Sequence, residues 1–115
     1  MIAKKYTVDR NLIDYILKKG ESFTSKLFII RYARNNKKFY RYTVIVSTKI
    51  DSSSVARNKI KRRIYEAIRR VENEKPESKK ENFDIILIPK KQIKDKDFNE
   101  IEQDIGEIIN STWKN

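Results

Sequence analysis

The sequence predicts a single domain of the mixed α/β (α+β) class, a two-layer sandwich with one mixed sheet of about four strands and the element order α-β-β-β-α-β-α. Two observations favour this class: apolar residues recur at helical spacing in three separate segments, and short runs of β-branched and aromatic residues lie between them. A chain of 115 residues can bury one modest core. We therefore expect residues 1–115 to form one domain.

The first predicted helix covers residues 9–19. Thr7 or Asp9 can cap its start, and Gly20 supplies the stop. Its helical period comes from four aliphatic side chains: Leu12, Ile13, Ile16 and Leu17.

Extended structure is expected to follow this helix. A short extended piece covers residues 21–23, a strand covers 27–33, and a second strand covers 40–47. The segment 35–38 between the two longer strands reads as a polar turn. These two strands are therefore predicted to pair as an antiparallel hairpin.

The second half begins with a loop at residues 49–54, in which Ser52, Ser53 and Ser54 are candidate N-caps. A long basic helix then runs to about Asn73 and is closed off by Pro76. Residues 83–88 form a buried strand, and the step from the second long strand through the basic helix to this one is a β-α-β crossover.

The last helix is predicted to open at Asp97, with Glu100 as its capping-box partner. Gly106 lies inside it at a cost of about 1 kcal/mol relative to alanine. Its core stripe consists of six large apolar side chains: Phe98, Ile101, Ile105, Ile108, Ile109 and Trp113.

The basic helix has one aliphatic stripe, and cations and amides occupy the rest of its surface. The predicted core stripe is Ile60, Ile64, Ala67, Ile68 and Val71. The side chains expected opposite that stripe are Asn58, Arg62, Tyr65 and Arg69. Such a helix is anchored on one side and offers hydrogen-bond donors to a polyanion on the other.

The net charge of +11 is concentrated around this helix. Residues 34–70 carry twelve basic and two acidic side chains, whereas residues 71–115 carry eight basic and eleven acidic ones. A basic stripe on an otherwise balanced body is typical of a nucleic-acid-binding face, although a merely solvated charged surface is the alternative.

Several functional classes are excluded or disfavoured. The chain has no cysteine and no histidine, so a thiol nucleophile, a disulfide and imidazole chemistry are absent. No apolar run approaches the ~20 residues of a membrane span, and the start lacks the apolar core of a secretion signal, so we expect a cytoplasmic protein. The acidic residues Asp95, Asp97, Glu100, Glu102 and Asp104 could bind magnesium, but solvated surface is the favoured interpretation.

Aromatic residues interleaved with bases are a second signal for nucleic acid. Phe28, Tyr32, Tyr40 and Tyr42 lie on predicted strands near basic residues such as Arg31 and Arg41. Such rings can stack on unpaired bases. Alternate strand positions must also fill the core, so about half of these rings are expected to be structural.

With these residues in view, the chain resembles the protein subunit of bacterial ribonuclease P. The strongest match is the segment Ala56-Arg57-Asn58-Lys59-Ile60-Lys61-Arg62-Arg63, which is similar to that family's signature helix. Weaker matches are the segments Val46-Ser47-Thr48-Lys49, Lys18-Lys19-Gly20 and Phe83-Asp84-Ile85-Ile86-Leu87-Ile88-Pro89, and the closing amphipathic helix. The matches cover essentially the whole chain in the family's order.

The resemblance implies a noncatalytic subunit of a ribonucleoprotein endonuclease that removes the 5′ leader of precursor tRNA. The catalytic RNA carries the active centre, so no catalytic residue, no metal and no cofactor are expected in the protein alone, and Mg²⁺ acts through the RNA. The expected partners are ribonuclease P RNA and precursor tRNA, with no membrane and no obligate protein partner. The resemblance also implies a fold like one domain of a ribosomal protein, with a left-handed β-α-β crossover.

Residue roles follow from the same resemblance. The positions that match the signature should contact the catalytic RNA: Arg57, Asn58, Lys61 and Arg62. Three further cations are expected to assist: Lys49, Arg63 and Arg69. The 5′ leader is expected in a cleft between the basic helix and the sheet, with four contact residues: Ile13, Leu17, Phe28 and Tyr32.

Two other classes stay open on the sequence alone. A ribosomal or ribosome-assembly RNA-binding protein would share the basic face and the fold class but would not need a leader-sized cleft. A DNA-binding regulator is disfavoured, because the sequence has no evident helix-turn-helix spacing.

Overall fold

The computed structural model describes residue 8 and residues 10–35, 40–74 and 82–111. Its elements are α1 (Arg10–Lys19), β1 (Glu21–Thr24), β2 (Phe28–Asn35), β3 (Arg41–Val44), α2 (Ser54–Glu74), β4 (Asn82–Pro89), a 3₁₀ turn (Lys91–Asp95) and α3 (Phe98–Ser111). The predicted element order and fold class are confirmed. The predicted roles of Thr7, Asp9, Pro76 and Trp113 fall outside the described residues, as does most of the predicted turn at residues 35–38.

The four strands form one mixed sheet in the order β1-β2-β4-β3. β1 and β2 pair antiparallel, β2 and β4 pair antiparallel, and β3 and β4 pair parallel. The predicted hairpin between the strands at residues 27–33 and 40–47 is therefore wrong, because β4 lies between β2 and β3. β4 is apolar on both faces, and such a strand is most stable in the interior of a sheet with neighbours on both sides.

Since β3 and β4 are parallel neighbours, α2 is the helix of a β-α-β crossover, as the sequence predicts. The left-handed sense that the resemblance implies for this crossover stays a prediction.

Side chains alternate between two cores across the sheet. Ile85 and Leu87 of β4 join the larger cluster, which α2 and α3 cover with residues such as Ile64 and Ile105. Ile86, between them in sequence, joins a smaller cluster with Ile16 of α1. The two-layer sandwich of sheet and α2–α3 is thus the main body, and α1 lies against the opposite face of the sheet.

The end of α1 approaches β2 closely at Gly20. A Cβ atom added there would lie 2.6 Å from the Ile16 carbonyl oxygen and 2.8 Å from that of Tyr32. The Arg31 side chain of β2 also donates from Nη2 to the Gly20 carbonyl, at 3.2 Å. The predicted glycine stop is confirmed, and its reason is the short distance between the helix end and the strand.

α3 is capped as predicted, since the Glu100 amide donates to Asp97 Oδ1 at 2.9 Å. Asp104, however, is not the surface acid that the sequence indicated, because it is only 5% exposed. Its Oδ2 accepts the Ser25 hydroxyl at 2.7 Å and the Leu27 amide at 3.0 Å. This carboxylate joins α3 to the β1–β2 turn. None of the helices in the described part of the chain is long and apolar enough to cross a membrane.

Candidate nucleic-acid interface

The start of α2 is fixed by hydrogen bonds to the loop before it. The Ser53 hydroxyl accepts the Ala56 amide at 3.2 Å, which makes Ser53 the N-cap among the three predicted serines. Arg57 Nη1 donates to the carbonyls of Asp51 and Ser52 at 3.0 and 2.9 Å. One amino group of the predicted RNA contact Arg57 therefore also holds the loop in place.

The Asp51 carboxylate strengthens the same loop. Its Oδ1 accepts the Ser53 amide at 2.9 Å, and Lys94 Nζ lies 2.9 Å from its Oδ2. The hydrogen bond from Ser53 and the one from Lys94 lower the pKa of the Asp51 carboxyl below its usual value. The carboxylate stays ionised at neutral pH and anchors the first turn of α2 to the 3₁₀ turn.

The buried side of α2 agrees with the predicted stripe except at Tyr65. Ile64 and Ile68 are fully buried, as expected, but Tyr65 is only 6% exposed although the sequence placed it on the outer face. The Val44 amide donates to the Tyr65 hydroxyl at 3.1 Å. Because β3 is an edge strand, this amide has no strand partner, and Tyr65 satisfies it. Burial raises the pKa of Tyr65 above its usual value.

The position of Tyr65 determines where the basic residues lie. Asn58 and Arg62 precede Tyr65 by seven and three residues, so their side chains share the side of α2 that flanks β3. A groove of about 520 Å³ opens there, and its lining consists of Val46, Ser54, Val55, Arg57, Asn58, Lys61 and Arg62. The structure therefore brings the four predicted signature contacts together around one groove.

The three predicted helper cations are placed differently. Lys49 is exposed in the loop before α2, and Arg63 is exposed on α2, but neither lines the groove. Arg69 is paired within its own helix, with its Nε 3.1 Å from Glu66 Oε1. This pairing lowers the pKa of Glu66 and raises that of Arg69.

Four other polar side chains of α2, three of which line the groove, carry no such internal pairing. Within the described ranges, Asn58, Lys61, Arg62 and Arg63 take part in no ion pair and no side-chain hydrogen bond. Arg70, by contrast, lies 3.2 Å from Glu102 and 5.3 Å from the ring centre of Phe98. The basic surface is thus divided into cations that bind the protein itself and cations that are available to a polyanion.

The four predicted leader contacts do not form one surface. Phe28 is fully buried, so its prediction as a contact is wrong: its strand position points into the larger core. Tyr32 lies on the same side of the sheet, edge-on to Phe23 and Phe83 at 5.7 and 5.5 Å. The sequence alone did not show whether the even-numbered or the odd-numbered residues of β2 face the solvent, because helices cover both faces of this strand.

Ile13 and Leu17 lie on the other side of the sheet, where both pack half-buried against the smaller cluster. Next to that cluster, Ile29 is 38% exposed, and its pairing partner Ile88 is half-buried. Sequence reasoning missed Ile29 and Ile88. The available signal was the alternation Phe28-Ile29-Ile30, which requires one of these apolar residues to face away from the main core.

Two of the basic residues that lie near aromatic rings in the sequence, Arg31 and Arg41, are engaged in contacts within the protein. Arg41 is 7% exposed and donates from Nε and Nη2 to Asp84 at 2.7 Å each. Arg31 caps the end of α1. Within the described part of the chain, no group of three or more acidic side chains is placed to hold a metal ion.

Comparison with known proteins agrees with this arrangement. The family model for ribonuclease P matches residues 3–113. The ribonuclease P protein component of Rickettsia prowazekii is 34% identical over 103 residues, which cover 84% of each chain. That of Clostridium botulinum is 32% identical over 95 residues, covering 83% of this chain and 82% of the relative.

Solved structures show the same fold. The RNase P protein from Thermotoga maritima superposes with a TM-score of 0.73 at 25% identity, over 89% of this chain and 93% of that one. The Staphylococcus aureus RNase P protein superposes with a TM-score of 0.73 at 28% identity, over 90% and 92%. With the signature helix in place beside its groove, these matches show that the chain belongs to the ribonuclease P protein family.

Proposed function

We propose that this chain is the protein subunit of a ribonuclease P ribonucleoprotein, in which α2 binds the catalytic RNA and the holoenzyme removes the 5′ leader of precursor tRNA. One observation carries the proposal. The signature residues Asn58, Lys61 and Arg62 surround one groove and are not engaged by the rest of the described chain. Family membership supports the role in tRNA processing.

The chemistry of the groove suits RNA. Guanidinium and ammonium groups bind phosphate oxygens, and an amide such as that of Asn58 can bind riboses or base edges. Phosphate contacts release counterions, so affinity should fall steeply as salt is raised. The concentration of positive charge in residues 34–70 should also speed the encounter with RNA.

We place the 5′ leader on the opposite face of the sheet, beside α1. Ile13 and Leu17 together with Ile29 and Ile88 form a partly exposed aliphatic surface there. Aliphatic side chains contact bases without reading their edges, so recognition of the leader by this surface should be largely independent of its sequence. The surface replaces the predicted pair Phe28 and Tyr32.

Catalysis in this proposal belongs to the RNA subunit and its magnesium ions, and the protein contributes binding. The substrate, a cytoplasmic precursor tRNA, would meet the holoenzyme in the cytoplasm. No membrane and no obligate protein partner enter the proposal.

Reconstitution tests the proposal directly. The protein is mixed with a bacterial ribonuclease P RNA and a leader-bearing precursor tRNA at a magnesium concentration too low for the RNA to act alone. Cleavage at the mature 5′ end is expected only when the protein is present. Tight binding to this RNA and to the cognate RNA without any cleavage would instead favour a ribosomal type of RNA-binding protein.

Two variants sharpen this experiment. Arg62→Ala should weaken binding to the catalytic RNA and lower the slope of log affinity against log salt by about one, since one phosphate contact is lost. Lys26→Ala removes the same charge from an exposed position on the β1–β2 turn and should leave the slope unchanged. Both variants should keep the wild-type melting temperature, because both side chains are exposed.

The leader surface has its own test. Ile29→Gln should weaken the binding of leader-bearing precursor to the holoenzyme and leave the binding of leaderless tRNA unchanged. An equal loss for both substrates would remove Ile29 from the leader surface and would not affect the assignment of α2.

A further inference from the structure

The groove beside α2 contains an apolar element that phosphate binding does not explain. Val55, in the first turn of α2, is 67% exposed, the highest value for a large hydrophobic side chain in the described ranges. Val46, half-buried after β3, lines the same groove. Two aliphatic side chains thus lie among the donors Asn58, Lys61 and Arg62.

The groove is preformed. Its helical wall is fixed by the Ser53 cap and by the two bonds from Arg57 to the preceding loop. On the other side the groove is lined by Val46, and the amide of the preceding residue, Ile45, donates to the Leu87 carbonyl at 3.0 Å. A ligand therefore meets walls that are already ordered, which reduces the entropy lost on binding.

We propose that this groove holds one unpaired nucleotide of RNA, with its base against Val46 and Val55 and its phosphate on Arg62 and Lys61. The inference rests on the proposed function and deepens it by naming the ligand. The groove volume of about 520 Å³ lies within the range of about 300–1,000 Å³ that is typical of small-ligand sites. Asn58, on the same wall, is placed to bind the edge of the base.

An unpaired nucleotide fits this surface better than a duplex does. In an RNA helix the base faces are stacked inside, and only riboses and phosphates reach the protein from the backbone side. Such a partner would meet cations and would leave Val46 and Val55 without an apolar contact. An extruded base offers an apolar face to the valines and a charged phosphate to the cations at once.

Cross-linking tests this placement, and the chain is suited to it because it contains no cysteine. Val55→Cys carries the single thiol to which a photoreactive group is attached, and Gln103→Cys, exposed on α3, is the control. The groove predicts cross-links from position 55 to one or two unpaired nucleotides and none from position 103. Cross-links from position 55 only to base-paired segments would overturn the proposal.

The unpaired nucleotide can come from the catalytic RNA or from the leader of the precursor. The experiment is therefore run on the complex with the catalytic RNA alone and on the holoenzyme with bound precursor. A cross-link in both samples identifies the catalytic RNA as the source. A cross-link that needs the precursor and maps to its 5′ leader identifies the leader as the source and would overturn the placement of the leader beside α1.

Affinity measurements give an independent test. Val55→Ala should weaken RNA binding by up to about 15-fold, since two buried methyl groups are lost, and the loss should be the same at every salt concentration. Val55→Thr keeps the shape but replaces one methyl group by a hydroxyl, and it should fall between wild type and Val55→Ala. Arg62→Ala, in contrast, changes the salt slope.

The outcomes separate this inference from the proposed function. In one outcome the wild-type protein binds the RNA and Arg62→Ala weakens binding as expected, while Val55→Ala binds as tightly as wild type. That result would overturn the nucleotide groove and would leave the proposed RNA-binding role intact. Failure of the wild-type protein to bind any ribonuclease P RNA would overturn both.

Discussion

The two glycines of this chain should respond in opposite ways to the same substitution. Gly20 ends α1 against β2, where an added Cβ would lie 2.6 Å from the Ile16 carbonyl oxygen and 2.8 Å from that of Tyr32. Both contacting atoms belong to the backbone, so no side chain can turn aside. At Gly106, inside α3, an added Cβ meets nothing within 4 Å.

The distances give the size of the effect. Ordinary contact begins near 3.4 Å, so Gly20→Ala must move the end of α1 from β2 by about 0.6 Å to relieve the Tyr32 contact. It must also open the last turn of α1 by about 0.8 Å to relieve the contact with the Ile16 carbonyl. Overpacking of this kind lowers the free energy of unfolding by about 1–3 kcal/mol. Alanine also lowers the conformational entropy of the unfolded chain relative to glycine, which offsets roughly 0.4–1 kcal/mol of that loss. Gly106→Ala should instead stabilise the protein by about 0.8–1 kcal/mol through helix propensity.

Thermal unfolding measures both variants. At about 4 °C for each kcal/mol in a domain of this size, the net cost of roughly 0.6–2 kcal/mol means that Gly20→Ala should melt about 2–8 °C below wild type. Gly106→Ala should melt about 4 °C above wild type on the same scale. Because α1 carries Ile13 and Leu17, Gly20→Ala should also weaken leader-dependent binding more than binding to the catalytic RNA. An unchanged or higher melting temperature for Gly20→Ala would refute the close approach of α1 to β2.

Three further predictions concern the core and pH. Ile64→Ala, at a fully buried position of α2, should lower the free energy of unfolding by about 2–5 kcal/mol in urea titrations, and a small loss would mean that the buried face of α2 is misassigned. Asp104→Ala should cost about 1–3 kcal/mol for each group left unsatisfied, because the Leu27 amide loses its acceptor, whereas Asp104→Asn should cost less. Burial, and then Glu72, raise the pKa of Tyr42, so this hydroxyl stays neutral in the folded state at a pH where the unfolded chain ionises. The contribution of Tyr42 to stability should therefore be constant below about pH 10, and above it stability should fall by up to about 1.4 kcal/mol per pH unit from this group. Tyr42→Phe should reduce that slope.

Much of the fold could be predicted from the sequence because it depends on interactions between neighbouring residues. The aliphatic period of α2, a serine cap within residues 52–54, the Asp97–Glu100 capping box and the apolar run of β4 each depend on residues close in sequence. These features were predicted correctly because helix periodicity and capping are short-range effects. The pairing of β2 with β3 was wrong, since pairing partners are chosen by the whole sheet and the local turn does not decide them.

In the candidate site, too, short-range features were predicted correctly and long-range packing was not. The segment from Arg57 to Arg62 identified the basic helix and the family resemblance from the sequence. Tyr65 was misplaced because a helical wheel assumes one buried stripe, whereas α2 also packs beside an edge strand whose Val44 amide requires an acceptor, which the Tyr65 hydroxyl supplies. Phe28 was misplaced because helices cover both faces of β2, and the sequence does not show which alternate positions of the strand point into the larger core.

A capped, amphipathic and strongly basic helix within one α/β domain could be predicted from the amino-acid sequence, because periodicity, caps and charge depend on neighbouring residues. Which cations remain available to a ligand depends on contacts between distant segments. The fold pairs Arg41 with Asp84 and Arg70 with Glu102, and it leaves Arg62 beside the groove. Partners such as Arg41 and Asp84 are far apart in sequence, and their pairing exists only after the strands have assembled.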